Sequence, residues 1–172
     1  MSFLATESMA LCLQSWPEIV PARSLVIVAG GGRDLAWPHQ RVAAELLARS
    51  SCRLVHLLLH GGARGADAAI GQAAHQLGWP SLVMPAQWQR HGRAAGPIRN
   101  RALLKRAIAQ AVLHTGPGAI ASVLVVAFPG GAGTASLLNL ARRMAPRSPV
   151  PIAVAEVSTS AGLWAVPASV RP

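Results

Sequence analysis

Acidic residues are scarce in this chain: six Asp and Glu stand against sixteen Lys and Arg in 172 residues, a formal net charge of +10. Lysine is nearly missing too, since Lys105 stands alone beside fifteen arginines. There is no tyrosine and there are only two phenylalanines. That shortage weakens any single-strand stacking platform, which needs aromatic faces for successive bases. The two cysteines, Cys12 and Cys52, show no metal-ligand spacing. No metal or other cofactor is therefore expected, and a reduced, cytoplasmic protein is the natural reading. No apolar run is long enough to span a membrane. The stretch from Met1 to Ala22 has no basic n-region and contains Glu7 and Glu18, which argues against a signal peptide.

What is present points to one globular domain. The length suffices for a proper core, and 52% of residues are apolar. A basic balance favours nucleic acid or phosphorylated ligands as partners, and the arginine fork matches phosphate geometry. An Ala-, Arg-, Gly- and Pro-rich chain poor in lysine is equally what codon bias produces. The charge is uneven, however: Arg90, Arg93, Arg99, Arg101, Lys105 and Arg106, with His91, fall in one interval free of acids.

Along the chain, residues 1–22 read as an extension with a short helix broken at Trp16-Pro17. Leu25–Ala29 and Leu54–Leu59 are continuous apolar runs, as expected of strands buried on both faces of a parallel sheet. Ser81–Met84 and Ser122–Phe128 predict a third and a fourth strand. Val150–Val154 predicts a fifth, at an edge because Pro151 cannot donate to a ladder. Helices are expected from Pro38 to about Ser50, from Asp67 to Leu77 with Gly78 closing it, from Ile98 to Leu113, and from the last glycine turn to about Met144. Residues 85–97 read as a long polar loop, the kind that often carries function. Strands that alternate with helices predict an α/β fold: a Rossmann-like open parallel sheet of about five strands, flanked by helices on both faces. The domain is expected to span 23–156, with a tail at 157–172 anchored at Trp164.

Three of the strands end in glycine turns: Gly30-Gly31-Gly32-Arg33-Asp34, Gly61-Gly62-Ala63-Arg64-Gly65, and Pro129-Gly130-Gly131-Ala132-Gly133-Thr134. In a parallel sheet all three lie at the same, C-terminal edge, where open sheets bind ligands. Glycine lets the backbone approach a ligand, and the N-terminus of the following helix favours an anion. The candidate phosphate-binding residues are those glycines with Pro129 and Thr134, supported by Arg33, Arg64, Arg99 and Asn100. Thr134 either caps its helix or donates to a phosphate oxygen. Asp34 is a local cap or a ribose ligand, and the cap is the simpler reading. Asp67 sits where an N-cap or a first-turn acid is expected. His60 ends the second strand, where either a site residue or a structural hydrogen bond to a loop carbonyl fits. Trp88 either stacks on a base or closes the core beneath its loop.

These motifs, together with Pro85-Ala86-Gln87-Trp88 and His91-Gly92-Arg93-Ala94-Ala95-Gly96-Pro97-Ile98-Arg99-Asn100, resemble the YspA-type (YspA/cpYpsA-related) branch of the SLOG superfamily over about residues 24–155. The first turn carries one glycine more than that pattern. The resemblance implies a Rossmann-like domain that binds a nucleotide or nucleotide-derived ligand, and by analogy with the superfamily a homodimer is expected. More distant relatives are the lonely-guy phosphoribohydrolases and the single-strand DNA-binding protein DprA. In the lonely-guy enzymes a catalytic glutamate follows the Pro-Gly-Gly-x-Gly-Thr turn. Leu137 occupies that place here, and no Asp or Glu lies between Asp67 and Glu156. A sensor or binding domain is therefore the first expectation. A nucleotide hydrolase using Asp67 or Asp34 as the acid and Arg99 on the phosphate is the second, with Glu156 as the remaining carboxylate. Nucleic-acid binding through the basic interval is the third.

Overall fold

The computed structural model describes residues 22–51 and 53–159. The expected N-terminal extension, both cysteines and the Trp164 anchor lie outside the described residues. β1 (Ala22–Gly30) leads through α1 (His39–Ser50) to β2 (Leu54–His60), and α2 (Ala66–Gln76) leads to β3 (Ser81–Val83). A short α3 (Trp88–His91) and a 3-10 turn (Gly92–Ala94) run into α4 (Ala95–Leu113). β4 (Ala119–Ala127), α5 (Ala132–Met144) and β5 (Ile152–Glu156) complete the order. The sheet reads β3-β2-β1-β4-β5, and every pairing is parallel. The α/β Rossmann-like arrangement read from the sequence is thus the one observed, with β5 at an edge.

Why β1 and β4 are apolar without alternation follows from their central place. Leu25, Ile27 and Ala29 point to one face, where they pack with Leu124, Val126 and Phe128 against α1 and α2. Val26 and Val28 point to the other, with Val123 and Val125 against α4 and α5. Burying a branched side chain on each face is worth about 1.5–3 kcal/mol per residue, so β1 anchors both layers. The β1–β2 register shifts between Leu25 and Val26, which leaves His56 without a partner on β1. Its ring stacks on His114 with centroids 3.8 Å apart and planes 6° from parallel.

Several boundaries differ from the sequence reading. Residues 88–94 are helical turns rather than loop, and α4 begins at Ala95 rather than Ile98. Pro97 is the third residue of that helix, where a missing N–H still costs nothing because no intrahelical acceptor lies behind it. β4 starts at Ala119, drawn forward by a nine-residue pairing with β1 and by the Gly116–Ala119 bridge. β5 starts two residues late because Pro151 only offers its carbonyl, to the amide of Val123 at 2.8 Å.

The end of α2 is as expected. Gly78 sits at φ +66°, and its amide donates to His75 O at 3.1 Å while that of Trp79 donates to Ala74 O at 2.9 Å, a Schellman closure. A Cβ added at Gly78 meets nothing within 4 Å, so only backbone conformation decides the cost of filling it. Gly78→Ala should therefore lose about 1–2 kcal/mol, the left-handed penalty for an L-residue, read as a lower urea midpoint at unchanged slope. An unchanged midpoint would contradict the Schellman geometry.

Candidate functional site

Because every strand of the sheet points the same way, the turns after β1, β2 and β4 meet at one rim. β1 and β4 are neighbours although distant in sequence, which makes their junction the point where strand order reverses. The turns are locked together by main-chain bonds. Phe128 N donates to Gly30 O at 2.8 Å, Gly32 N to Pro129 O at 2.9 Å, and Ala66 N to Gly32 O at 3.0 Å. Side chains are excluded at these contacts. A Cβ on Gly130 would stand 2.5 Å from Gly32 N, and one on Gly65 (φ +74°) 2.2 Å from Arg33 O.

Above this junction lies a cavity of about 540 Å³. Gly30, Gly31, Gly32, Arg33 and Asp34 line it from the first turn, Gly61, Ala63 and Asp67 from the second, and Gly131, Gly133, Thr134 and Leu137 from the third turn and α5. Trp88, Arg93, Arg99, Asn100 and Leu103 close the side formed by α3 and α4. The geometry thus gathers most of the residues singled out from the sequence. Gly62, Arg64, Gly65, Pro129 and Gly130 do not line the cavity. Their part is to shape the turns, or, for Arg64, to face solvent.

Gly131 stands at the N-cap of α5 and offers no side-chain cap. Thr134 does not cap it; its amide and that of Ala135 both bond Gly131 O, at 3.0 and 3.1 Å. The first amides of the helix have no acceptor behind them and lie at the cavity wall, the arrangement that attracts an anion. Asn100 is 3% exposed and ties α4 to this wall, its Nδ2 donating to Gly133 O at 3.2 Å.

The cavity floor holds a largely buried ion pair. Arg99 Nη1 is 3.5 Å from Asp67 Oδ2, and Asp67 also accepts from Ala63 N at 3.2 Å. Arg99 Nε donates to Asn100 Oδ1 at 3.1 Å. The guanidinium lies over the bare face of Gly61, where a Cβ would fall 1.1 Å from Arg99 Nη1 and push it aside. Asp67 is thus committed to holding Arg99 and the second turn. Asp34, expected as a cap, instead turns outward and accepts from Arg64 Nη2 at 3.1 Å, both side chains largely exposed. Trp88 is 47% exposed rather than folded under a loop, and the Arg33 guanidinium lies 4.8 Å from its ring centre.

His60 is buried behind the second turn and is absent from the cavity lining. Its Nδ1 accepts from Gly62 N at 3.3 Å, so the expected bond to a loop carbonyl is replaced by one to a loop amide. Burial lowers its pKa below 6.5; the Asp67 charge pulls the other way and the Arg99 charge pushes further down. Burial, then His114, likewise lowers the pKa of His56.

Arg93 lines the cavity, although the sequence placed it only in the basic interval and the resemblance motif and not among the candidate site residues. Its signal was that interval itself; the turn that swings it inward was read as loop. Among the described residues each carboxylate is already matched to an arginine: Glu45 to Arg49, Asp34 to Arg64, Asp67 to Arg99 and Glu156 to Arg142. Arg93 has no such partner. A second depression, of about 610 Å³, lies at the opposite end of the sheet, bordered by Leu47, Arg53, His56 and Trp79. It carries no glycine turn except Gly78 and adjoins the carboxyl end of α1, which disfavours anions.

With this geometry in view, residues 25–91 match the YAcAr family, described as the YspA, cpYpsA-related SLOG family. The matched stretch carries β1 to α3 and so the first two glycine turns; the third lies beyond it. No curated protein and no solved structure matches the chain.

The two histidines give the fold a pH dependence. Both folded pKa values lie below 6.5, the value expected of the unfolded chain. Below that pH the unfolded chain takes up protons before the folded one does, so stability falls as pH drops through 6.5 towards the folded values. Tm at pH 5.5 should be lower than at pH 7.5, a window in which ordinary carboxylates do not titrate. A flat Tm across it would mean that neither histidine is held neutral.

Proposed function

We propose that this domain binds a nucleotide or nucleotide-derived phosphorylated ligand at the C-terminal edge of its sheet, as a binding or sensor domain. The observation that carries this reading is the cavity at the β1–β4 junction. There the uncapped first turn of α5, Arg93 and Arg99 converge while the nearest carboxylate, Asp67, is spent on Arg99. Phosphate oxygens would take the amides of Gly131, Ala132 and Gly133 with the Thr134 hydroxyl. Arg99 and Arg93 would neutralise the charge, in the manner of charge-assisted hydrogen bonds. Trp88 and Leu103 supply an apolar end suited to a base, Trp88 by stacking once Arg33 shifts from its face. The family match over residues 25–91 is compatible with a nucleotide-type ligand.

A second reading, a nucleotide hydrolase, is favoured by one observation: the Asp67 carboxylate lies in the cavity lining. Leu137 also lines the cavity, at the place where the resemblance leads one to look for a glutamate, and supplies no acid. In this reading, among the described residues Asp67 is the only buried carboxylate within reach, and leaving its arginine is the cost of acting as a base. Asp34, by contrast, is drawn away from the floor by Arg64.

Isothermal calorimetry with a panel of nucleoside mono- and diphosphates checks the binding reading, and chromatography of the same mixtures for released base checks turnover. Binding without release is expected. Arg93→Gln should weaken the best ligand about tenfold, the worth of roughly one charge-assisted hydrogen bond, with Tm unchanged because Arg93 has no intramolecular acid to lose. No heat from any nucleotide, with the protein folded, would defeat the proposal; base release abolished in Asp67→Asn would establish the second reading instead.

A further inference from the structure

The depression at the far end of the sheet takes no part in the site above, yet it lies where the fold leaves most apolar surface uncovered. Among the described residues eight large apolar side chains are exposed. Five of them, Leu47, Leu54, Val112, Leu113 and Ile120, stand at the rim where strands begin and helices end. Leu113 and Leu54 are the most exposed of the eight, at 75% and 64%. One exposed leucine needs no explanation, but several gathered at one rim mark a surface that something covers. Leu47 and Leu54 border the depression with Trp79 and Pro80, which makes it a groove with largely apolar walls beside the end of α1 and the start of β2. His56 borders it too, and its stack on His114 joins the groove to the end of α4.

Topology brings the preceding chain to this place. β1 is the central strand, and Ser24, two residues after its start at Ala22, pairs with Leu54. Paired strands lie about 4.8 Å apart, so residues before Ala22 leave the sheet one strand away from the groove. Ile120 flanks the same exit on the other side, paired with Arg23. Residues 1–21, outside the described fold, suit such a groove in composition: Phe3, Leu4, Met9, Leu11, Leu13 and Trp16 supply large apolar side chains. An extended chain covers about 3.3–3.6 Å per residue, so reach is no obstacle. The charges match as well. Glu7 and Glu18 are the segment's charged side chains, and it holds no Lys or Arg. At the rim Arg23 is exposed and Arg53 borders the groove, and neither belongs to one of the four ion pairs of the described fold. Arg53 Nε also donates to Ser50 O at 3.0 Å, which offsets the negative end of α1.

We infer that residues 1–21 dock in this groove, with their apolar side chains on Leu47, Leu54 and Trp79 and their carboxylates toward Arg23 and Arg53. The segment then covers the rim where the strands begin and leaves the opposite, ligand-facing rim open. The inference does not depend on the ligand reading, because the two rims share no lining residue. A second copy of the domain is a poorer occupant. In a two-fold contact the same patch meets itself, which would set Arg23 and Arg53 against their own images. The segment instead brings acids to those arginines and is tethered beside them, so its docking is intramolecular and independent of protein concentration.

Hydrogen exchange of the full chain, read by mass spectrometry, tests the docking. Amides within 1–21 should exchange at least about tenfold more slowly than in an unstructured chain of that sequence. Leu47→Asp/Leu54→Asp, on the groove, should return them to the unstructured rate while the amides of β1 and β4 stay protected, which shows that the domain still folds. Leu11→Asp/Leu13→Asp, on the segment, should release it equally and cannot disturb the described core. Exchange of 1–21 at the unstructured rate in the wild type overturns the inference, and so does protection that survives the groove variant. Where the groove variant also loses protection in β1 and β4, the segment variant decides, and unchanged protection of 1–21 in it overturns the inference. Protection that appears only as protein concentration rises, together with a dimer in sedimentation velocity, overturns it in favour of a second copy.

Discussion

The hydrogen bond from Gly32 N to Pro129 O, 2.9 Å long, decides how close the first and last glycine turns come. Everything at the rim is built on that approach. Parallel pairing of β1 with β4 over nine residues brings the two strand ends level. The chain must then leave both strands at the same height without a clash, and only glycines fit: a Cβ on Gly31 would lie 2.7 Å from that of Ala66, and one on Gly130 2.3 Å from Thr134 Oγ1. Once the backbones touch, the helix that follows β4 starts directly over the sheet edge. Its free amides face the cavity. Main-chain contact thus sets the cavity's wall at the β1–β4 junction, and side chains of α3, α4 and α5 close the rest.

A cavity walled by amide dipoles would still be a weak anion site if its charged groups were free to swing into water. Here Arg99 is held on three sides: by Asp67, by Asn100 Oδ1, and by the bare face of Gly61. A buried ion pair contributes little net stability, because desolvation of both charges offsets their attraction. Its value lies in placement. Asp67 fixes Arg99 at the floor and, through the Ala63 amide, fixes the second turn against it. On the proposed reading, an incoming phosphate would meet a guanidinium already oriented, so less ordering cost would fall on binding.

Much of this was legible beforehand, for identifiable reasons. Buried parallel strands write themselves as continuous apolar runs, as Val26-Ile27-Val28 and Val123-Leu124-Val125 do. Glycines cluster only where backbone crowds backbone, so the three turns announced the rim. Long-range side-chain choices left no such trace. Nothing adjacent to Asp34 says that Arg64, thirty residues on, will draw it outward. Arg93 looked like one charge among six because the turn that aims it is set by packing of Trp88 on Gly96, not by local propensity. Residues 88–94 read as loop since their glycine and polar content hides helical turns stabilised from outside. The His56 bulge has no sequence signal at all: a register shift depends on what the neighbouring strand offers.

The scarcity of acids carries the synthesis one step further. Four carboxylates, each matched to an arginine, leave the rest of the described surface with one sign of charge. The exposed pairs among them, Asp34–Arg64 and Glu156–Arg142, add little to stability, so their effect is mainly electrostatic: among the described residues no unpaired negative charge remains to repel an anion near the cavity mouth. Exposed positive charge then raises the local concentration of anionic ligands and speeds their arrival, an effect that salt screens within about 8–10 Å. Discrimination cannot come from that field, which every anion feels alike. On the proposed reading it would come from the place where donors are fixed, the first amides of α5 with Arg99. Attraction and selection would then be separate, the first spread over the surface and the second confined to the junction of β1 and β4.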